Sequence, residues 1–80
     1  MPELTLYYRN FCPYCRKVLL CMEENGIDIP LKNLADDKAY ISELNSIGDS
    51  SQVPCLVIDG KAMYESDDII VWISENLKQG

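Results

Sequence analysis

The chain has 80 residues, of which 48% are hydrophobic and 25% are charged, a composition typical of one small globular domain over residues 1–80. Its 13 acidic and 7 basic residues give a net charge of −6, which disfavours binding to nucleic acids or to anionic membranes because phosphate contacts need a basic surface. The N-terminal stretch lacks the basic and long apolar regions of a signal peptide, and the longest apolar runs are too short to cross a bilayer. We therefore expect a cytoplasmic protein, in a compartment that keeps thiols reduced.

The first part of the chain predicts two strands with a helix between them. The short apolar run over residues 4–8 predicts a buried strand. Residues 13–25 predict a helix that begins with a proline, and Gly26 is its stop signal. Alternating apolar residues over 27–34 predict a second strand, and Pro30 favours an edge position for it.

The second part of the chain predicts a helix, a hairpin and a last helix. Residues 36–47 predict a helix with acids at its start, where the helix dipole favours them. Residues 54–59 and 61–65 predict two strands joined by an Asp-Gly turn. Residues 66–78 predict the last helix, with Ser66 as its N-cap.

The predicted element order is β-α-β-α-β-β-α, which belongs to the α/β class. A βαβ unit connects parallel strands by a right-handed crossover, and the hairpin adds an antiparallel pair. We therefore expect a four-stranded mixed sheet flanked by three helices.

Cys12 and Cys15 form a CxxC pair at the junction of the first strand and the first helix. Free amide groups and the helix dipole at this junction stabilise a thiolate, so the pKa of Cys12 is expected to be low. Cys15 lies further into the helix and is expected to be more buried and less acidic. Such a pair suits thiol–disulfide exchange, in which one thiolate attacks a disulfide and the second thiol resolves the product.

Other uses of the four cysteines are less well supported. A structural zinc site usually needs four ligands, and the chain has one CxxC pair and no histidine. Cys21 and Cys55 stand alone, and each is interpreted as a small apolar core residue. A regulatory thiol at either position stays open, because reactivity depends on exposure.

Three motifs together resemble the glutaredoxins: CPYC (12–15) after the first strand, QVP (52–54) before the third strand, and ESDD (65–68) at the last helix. The motifs are also similar to the glutathione-binding half of the glutathione S-transferases. The resemblance covers essentially the whole chain and implies the thioredoxin fold that both families share. Gln52 departs from the threonine that glutaredoxins usually carry before Val-Pro.

The resemblance implies a glutathione site around the third strand and the last helix. The Val53–Pro54 peptide bond would be cis, and the Val53 backbone would pair with the cysteinyl part of glutathione. Ser66 and the helix-start amides would hold the γ-glutamyl carboxylate, and Asp67 or Glu65 its ammonium group.

Two further residues receive roles from the same resemblance. Arg9 would face the glycyl carboxylate and support the Cys12 thiolate, and Tyr14 would shield the cysteine pair and touch the ligand. From the residues alone, an ordinary strand-start Pro54, a purely capping Ser66 and a solvated Arg9 stay open.

The resemblance implies a glutathione-dependent thiol–disulfide oxidoreductase of the glutaredoxin type, with Cys12 as nucleophile and Cys15 as resolving thiol. Glutathione would be its co-substrate, disulfide-containing or glutathionylated proteins its partners, and we expect a monomer without a metal.

Three alternatives stay open. A transferase-like domain separated from its helical partner is favoured by the apolar run IIVWI, which wraps a helix on all sides. A protein that binds a 2Fe–2S cluster through Cys12 and glutathione is disfavoured by the proline after Cys12. A relative reduced by thioredoxin reductase is disfavoured by ESDD.

Overall fold

The computed structural model describes residues 3–48 and 50–77. Among these residues, no helix is both long enough and apolar enough to span a membrane. The seven elements follow the predicted order: β1 (Leu4–Tyr8), α1 (Pro13–Glu24), β2 (Leu31–Asn33), α2 (Lys38–Gly48), β3 (Cys55–Ile58), β4 (Lys61–Met63) and α3 (Ser66–Asn76).

The four strands form one sheet in the order β2-β1-β3-β4. β1 runs parallel to β2 and antiparallel to β3, and β3 runs antiparallel to β4. The predicted mixed sheet is therefore confirmed. β2 lies at an edge of the sheet, as Pro30 indicated.

The core consists of two clusters on opposite faces of the sheet. Leu6 of β1 packs with residues of α1 and α3, whereas the adjacent Tyr7 packs with Leu44 of α2. Because successive side chains of a strand point to opposite faces, α1 and α3 cover one face and α2 covers the other. Three helices in two layers thus bury both faces of a small sheet.

α1 ends at a Schellman motif around Gly26, which confirms the predicted stop. The Ile27 N–H donates to the Met22 carbonyl at 2.8 Å, and the Gly26 N–H donates to the Glu23 carbonyl at 3.4 Å. Gly26 has φ 64, a left-handed conformation that glycine adopts without a steric penalty. Both Met22 and Ile27 belong to the buried cluster beneath α1, so the chain turns directly back to the sheet.

The strand predicted over 27–34 is shorter in the structure. Regular pairing covers only Leu31–Asn33, and the residues before it form an extended connection. Ile27 and Ile29 are buried as their alternation predicts, but they pack on the core as part of this connection. Pro30 limits the strand because it has no N–H to donate, although its carbonyl accepts the Leu6 N–H at 2.9 Å.

α2 begins two residues later than the predicted range of 36–47. Asp37 precedes the helix, and its carboxylate accepts the Ala39 N–H at 2.9 Å. Asp37 therefore caps the N-terminus of α2 without being a helical residue. Its negative charge still lies at the positive end of the helix dipole.

The prediction of Ser66 as the N-cap of α3 is wrong. The N-cap is Glu65, whose backbone is extended and whose carbonyl accepts the first helical bond, from the Ile69 N–H at 2.9 Å. Ser66 is instead the first helical residue and is buried, with Asp67 and Asp68 in the first turn as predicted. The predicted end of this helix, residue 78, lies outside the described residues.

The predicted hairpin is confirmed, with shorter strands than 54–59 and 61–65. Asp59 and Gly60 have φ 50 and φ 84, as a type I′ turn requires at both central positions. The third strand starts one residue later than predicted because Pro54 has no N–H for the ladder.

Candidate functional site

Cys12 lies at the N-cap of α1, followed by Pro13 at the first helical position. Its backbone is extended, and its sulfur accepts a hydrogen bond from the Cys15 N–H at 3.4 Å. A thiol here takes the place that serine or threonine usually occupies, so an amide at the end of the helix dipole points at the sulfur. Cys12 as a residue is partly exposed, so a disulfide can approach it.

Cys12 and Cys15 differ in acidity as predicted. Partial burial works against the Cys12 thiolate, but hydrogen bonds from the Cys15 side chain and from the Cys15 and Tyr14 amides outweigh it and lower the pKa of Cys12. Cys15 is only 1% exposed, and this burial raises its pKa to about 11, although the Arg9 backbone works the other way. One thiol is thus prepared to ionise, and its neighbour stays protonated at neutral pH.

The two lone cysteines lie away from this pair. Cys55 is fully buried, and burial raises its pKa to about 11, so the interpretation as an apolar core residue is confirmed. Cys21 is partly buried on α1, with its sulfur 3.8 Å from the Ser74 hydroxyl of α3.

The structure brings the predicted glutathione-site residues other than Arg9 into one groove of about 240 Å³: Tyr14, Val53, Pro54, Ser66, Asp67 and the alternative acid Glu65. These residues come from the start of α1, the loop before β3 and the start of α3. The Val53–Pro54 peptide bond is cis, as the resemblance implied. We call this cavity the Pro54 groove.

The acidic end of the Pro54 groove carries an ion pair. The Lys17 ammonium donates to the Asp67 carboxylate at 3.0 Å and lies 5.9 Å from the centre of the Tyr14 ring. Asp67 is 84% exposed, so this pair is solvated and exchangeable. Ser66, next to it, is buried at the first turn of α3.

Arg9 does not line the Pro54 groove. It lines a second cavity of about 380 Å³, together with Cys12, Phe11, Arg16 and Leu19. We call this cavity the Phe11 pocket. The two cavities share no lining residue: Cys12 and Pro13 line the Phe11 pocket, whereas Tyr14 lines the Pro54 groove.

Sequence reasoning missed several residues of these cavities. Lys17 reaches Asp67 only because α1 and α3 pack side by side, and no local motif signals that contact. Tyr64 lines the Pro54 groove, as does Gln52, which the sequence marked only as a departure from the usual threonine, and Phe11 lines the other cavity. The sequence signals for these residues were the position of Phe11 next to CPYC and the place of Gln52 in the QVP motif.

Within residues 3–48 and 50–77, no group of three or more histidine, cysteine or acidic side chains is arranged to hold a metal ion. The expectation that no metal is needed stays a prediction.

Sequence comparison places the chain between two related groups. The family described as "Glutathione S-transferase, N-terminal domain" matches residues 11–76. An "uncharacterized glutaredoxin-like 8.6 kDa protein in rubredoxin operon" of Clostridium pasteurianum is 33% identical over 57 residues, which are 71% of this chain and 76% of that protein.

Solved structures show the same two groups. Glutathione transferase Omega 3C from Trametes versicolor is 31% identical with a TM-score of 0.76, over 91% of this chain and 33% of that chain. A delta-class glutathione transferase from Nilaparvata lugens is 26% identical with a TM-score of 0.77, over 96% of this chain and 37% of that chain. The chain thus spans about a third of the length of these transferases.

A glutaredoxin from Archaeoglobus fulgidus has a TM-score of 0.73 over 91% of this chain and 87% of its own, and at 24% identity it shows the fold alone. The element order, the mixed sheet and these likenesses identify the thioredoxin fold. The chain therefore belongs to the family of glutathione S-transferase N-terminal domains and, within the thioredoxin-fold superfamily, is similar to the glutaredoxins.

Proposed function

We propose that this protein is a glutathione-dependent thiol–disulfide oxidoreductase with Cys12 as nucleophile and Cys15 as resolving thiol. The observation that carries the proposal is the pair itself. A partly exposed cysteine with a lowered pKa lies at a helix N-cap, three residues from a buried thiol whose pKa is raised to about 11. A nucleophile must be a thiolate to attack, and a resolving thiol is best kept protonated until it is needed.

The reaction with a protein disulfide has three steps. The Cys12 thiolate attacks one sulfur of the substrate disulfide, a new disulfide forms, and the other substrate sulfur leaves as a thiolate. Cys15 then loses its proton and attacks the Cys12 sulfur, which releases the second substrate thiolate and leaves a Cys12–Cys15 disulfide. Two glutathione molecules reduce this disulfide and become glutathione disulfide, so electrons and protons balance.

The reaction with a glutathionylated protein needs Cys12 alone. Its thiolate attacks the glutathionyl sulfur, and the protein cysteine leaves as a thiolate. A second glutathione then attacks the Cys12–glutathione disulfide and restores the Cys12 thiolate.

Glutathione binds in the Pro54 groove in this proposal. The Val53 backbone pairs with its cysteinyl unit in a strand-like manner, beside the cis Pro54. The α3 amides and the Ser66 hydroxyl donate hydrogen bonds to the γ-glutamyl carboxylate, because a helix N-terminus favours an anion. Asp67 takes the γ-glutamyl ammonium group in place of its present partner, Lys17.

The remaining contacts come from the CPYC side. Arg9, beside Cys12, supplies the cation for the glycyl carboxylate. The ring of Tyr14 is exposed at the groove and covers the ligand from above the cysteine pair.

The test is reduction of a glutathionylated peptide with glutathione, glutathione reductase and NADPH. The wild type and Cys15→Ser are expected to turn over, whereas Cys12→Ser falls to the uncatalysed rate because the remaining thiol of the pair, Cys15, is buried and its pKa is raised to about 11. Turnover by Cys12→Ser would show that another group is the nucleophile. Circular dichroism of each variant shows that the fold is retained.

A second candidate is a transferase activity toward an electrophile. The family match favours it, and so do the apolar side chains of Leu20 on α1 and Val71 on α3, which are 48% and 53% exposed. Conjugation of glutathione with 1-chloro-2,4-dinitrobenzene by this chain would support it. Absence of conjugation beside active disulfide exchange would remove it.

A further inference from the structure

The Phe11 pocket is adjacent to the nucleophile and has no role in the proposed glutathione contacts apart from Arg9. Its volume of about 380 Å³ exceeds the 240 Å³ of the Pro54 groove, and Cys12 lines it. In the reaction with a mixed disulfide, the attacked sulfur carries two substituents, of which glutathione fills the Pro54 groove. The target polypeptide must therefore lie elsewhere around Cys12.

Phe11 is an unusual residue for a solvent-exposed position. Its side chain is fully exposed, and its backbone has φ 60, a left-handed conformation that is strained for a bulky residue. A strained exposed aromatic adds nothing to core packing, and such strain concentrates at functional sites. Leu19 and Tyr8 line the same cavity, so the pocket presents other apolar side chains besides the exposed ring.

The charge of the Phe11 pocket is opposite to that of the whole protein. Two of the seven basic residues, Arg9 and Arg16, line it, and none of its described lining residues is acidic. Arg16 makes no ion pair with any residue in the described ranges 3–48 and 50–77. Because salt confines charge effects to roughly 8–10 Å, this local cation attracts an anion despite the net charge of −6.

We propose that the Phe11 pocket binds the segment of the target polypeptide next to its leaving cysteine, and that it selects targets with an apolar residue beside an acidic one. This inference rests on the proposed function. The apolar side chain packs on Phe11 and Leu19, and the acidic side chain pairs with Arg16. The Cys12 thiolate then attacks the glutathionyl sulfur, the bond to the target cysteine breaks, and the target thiolate leaves from this pocket.

The experiment compares three glutathionylated peptides that differ only after the modified cysteine, in the order Cys-Leu-Asp, Cys-Leu-Lys and Cys-Ser-Asp. The readout is kcat/KM with glutathione, glutathione reductase and NADPH. We expect kcat/KM for the Leu-Asp peptide to exceed that for the Leu-Lys peptide about fivefold, which is the effect expected of one exposed ion pair. We expect its kcat/KM to exceed that of the Ser-Asp peptide about fivefold as well, because the leucine side chain would bury about 40 Å² of apolar surface.

Two variants separate the charge from the apolar contact. Arg16→Glu is expected to invert the Asp-to-Lys preference and leave the Leu-to-Ser preference in place. Phe11→Asn is expected to remove the Leu-to-Ser preference, and asparagine tolerates the left-handed backbone, so the fold is retained. Lys61→Gln, which removes a cation on β4 outside both cavities, is the control and is expected to keep both ratios.

A small substrate distinguishes this inference from the proposed function. The mixed disulfide of glutathione and 2-mercaptoethanol has no target polypeptide, so its turnover depends only on Cys12 and on the glutathione contacts, which are the Pro54 groove and Arg9. Turnover of this disulfide with equal rates for the three peptides would overturn the peptide preference and leave the proposed function intact. Failure to turn over this disulfide would overturn both. A preference that Arg16→Glu does not invert would contradict the role of Arg16.

Discussion

At the scale of single residues, the position of one thiol decides its chemistry. Cys12 and Cys15 are three residues apart, yet one caps a helix and the other is buried beneath it. Hydrogen bonds at the cap lower the pKa of Cys12 in spite of its partial burial, whereas burial raises that of Cys15 to about 11. Two identical side chains therefore differ in acidity, as the proposed roles of nucleophile and resolving thiol require.

This difference predicts how the two thiols react with iodoacetamide as pH rises. Cys12 is expected to be alkylated with a midpoint below that of an ordinary cysteine, because only the thiolate reacts and its pKa is lowered. Cys15 is expected to stay unmodified until the pH approaches about 11. Mass spectrometry of the alkylated peptides measures both, with Cys15→Ser to isolate Cys12.

A midpoint for Cys12 equal to that of free cysteine would show that the cap does not stabilise the thiolate. Reaction of Cys15 at neutral pH would show that the first turn of α1 opens.

At the scale of elements, the end of α1 aligns the chain for the sheet. The Schellman motif at Gly26 returns the chain through Ile27 and Ile29, and both side chains enter the cluster beneath α1 and α3. β2 is left with only three residues of pairing, Leu31–Asn33. Burial of Ile27 and Ile29, more than strand hydrogen bonding, therefore attaches the segment between α1 and β2 to the rest of the fold.

The turn predicts a cost for a side chain at this position. Gly26→Ala is expected to lower the free energy of unfolding by about 1–2 kcal/mol, because alanine is strained at φ 64. Urea denaturation followed by circular dichroism measures the change. Glu24→Ala, at an exposed position in the last turn of α1, is the control and is expected to change stability by less than about 0.5 kcal/mol.

Equal stabilities of Gly26→Ala and the wild type would mean that the turn relaxes without strain. The C-terminal boundary of α1 would then be set by core packing alone.

At the scale of the whole molecule, a charged network attaches α2 to the sheet. The Glu43 carboxylate accepts hydrogen bonds from the Lys32 ammonium at 2.6 Å and from the Tyr7 hydroxyl at 2.9 Å. The same ammonium lies 5.6 Å and 5.3 Å from the ring centres of Tyr7 and Tyr40. One lysine thus links β1, β2 and α2, on the face of the sheet away from the cysteine pair.

This network predicts a loss of stability in acid. The Lys32 hydrogen bond, followed by that of Tyr7, lowers the pKa of Glu43, so the folded state holds the ionised carboxylate more strongly than the unfolded state does. The resulting stability is present above the ordinary carboxyl pKa and is lost as pH falls through the lowered folded value. Urea midpoints between pH 7 and pH 3 measure it.

Glu43→Gln is expected to flatten the acidic part of this profile while keeping acceptors for both donors. Glu75→Gln, an equal change of charge at an exposed site on α3, is expected to keep the wild-type slope. Identical slopes for Glu43→Gln and the wild type would assign the acid sensitivity to other carboxylates.

Local chemistry predicted much of the fold and part of the candidate site. Element order, the hairpin and the helix stop follow from turn residues and periodicity, which act over a few neighbours. The ends of 27–34 and the N-cap at Ser66 were wrong, because tertiary packing and the extended backbone of Glu65 set those boundaries. Boundaries depend on which backbone groups find partners, and distant strands and loops supply those partners.

The sequence by itself determined the cysteine pair, its place at a helix start and the direction of its pKa difference, because capping and burial at CPYC are local. Only the tertiary structure decided that Val53, Ser66 and Asp67 share a groove with Tyr14, and that Arg9 lies in the other cavity with Phe11 and Arg16. These residues meet because strand pairing and the packing of α1 on α3 bring distant segments together. No periodicity within one segment encodes such a contact.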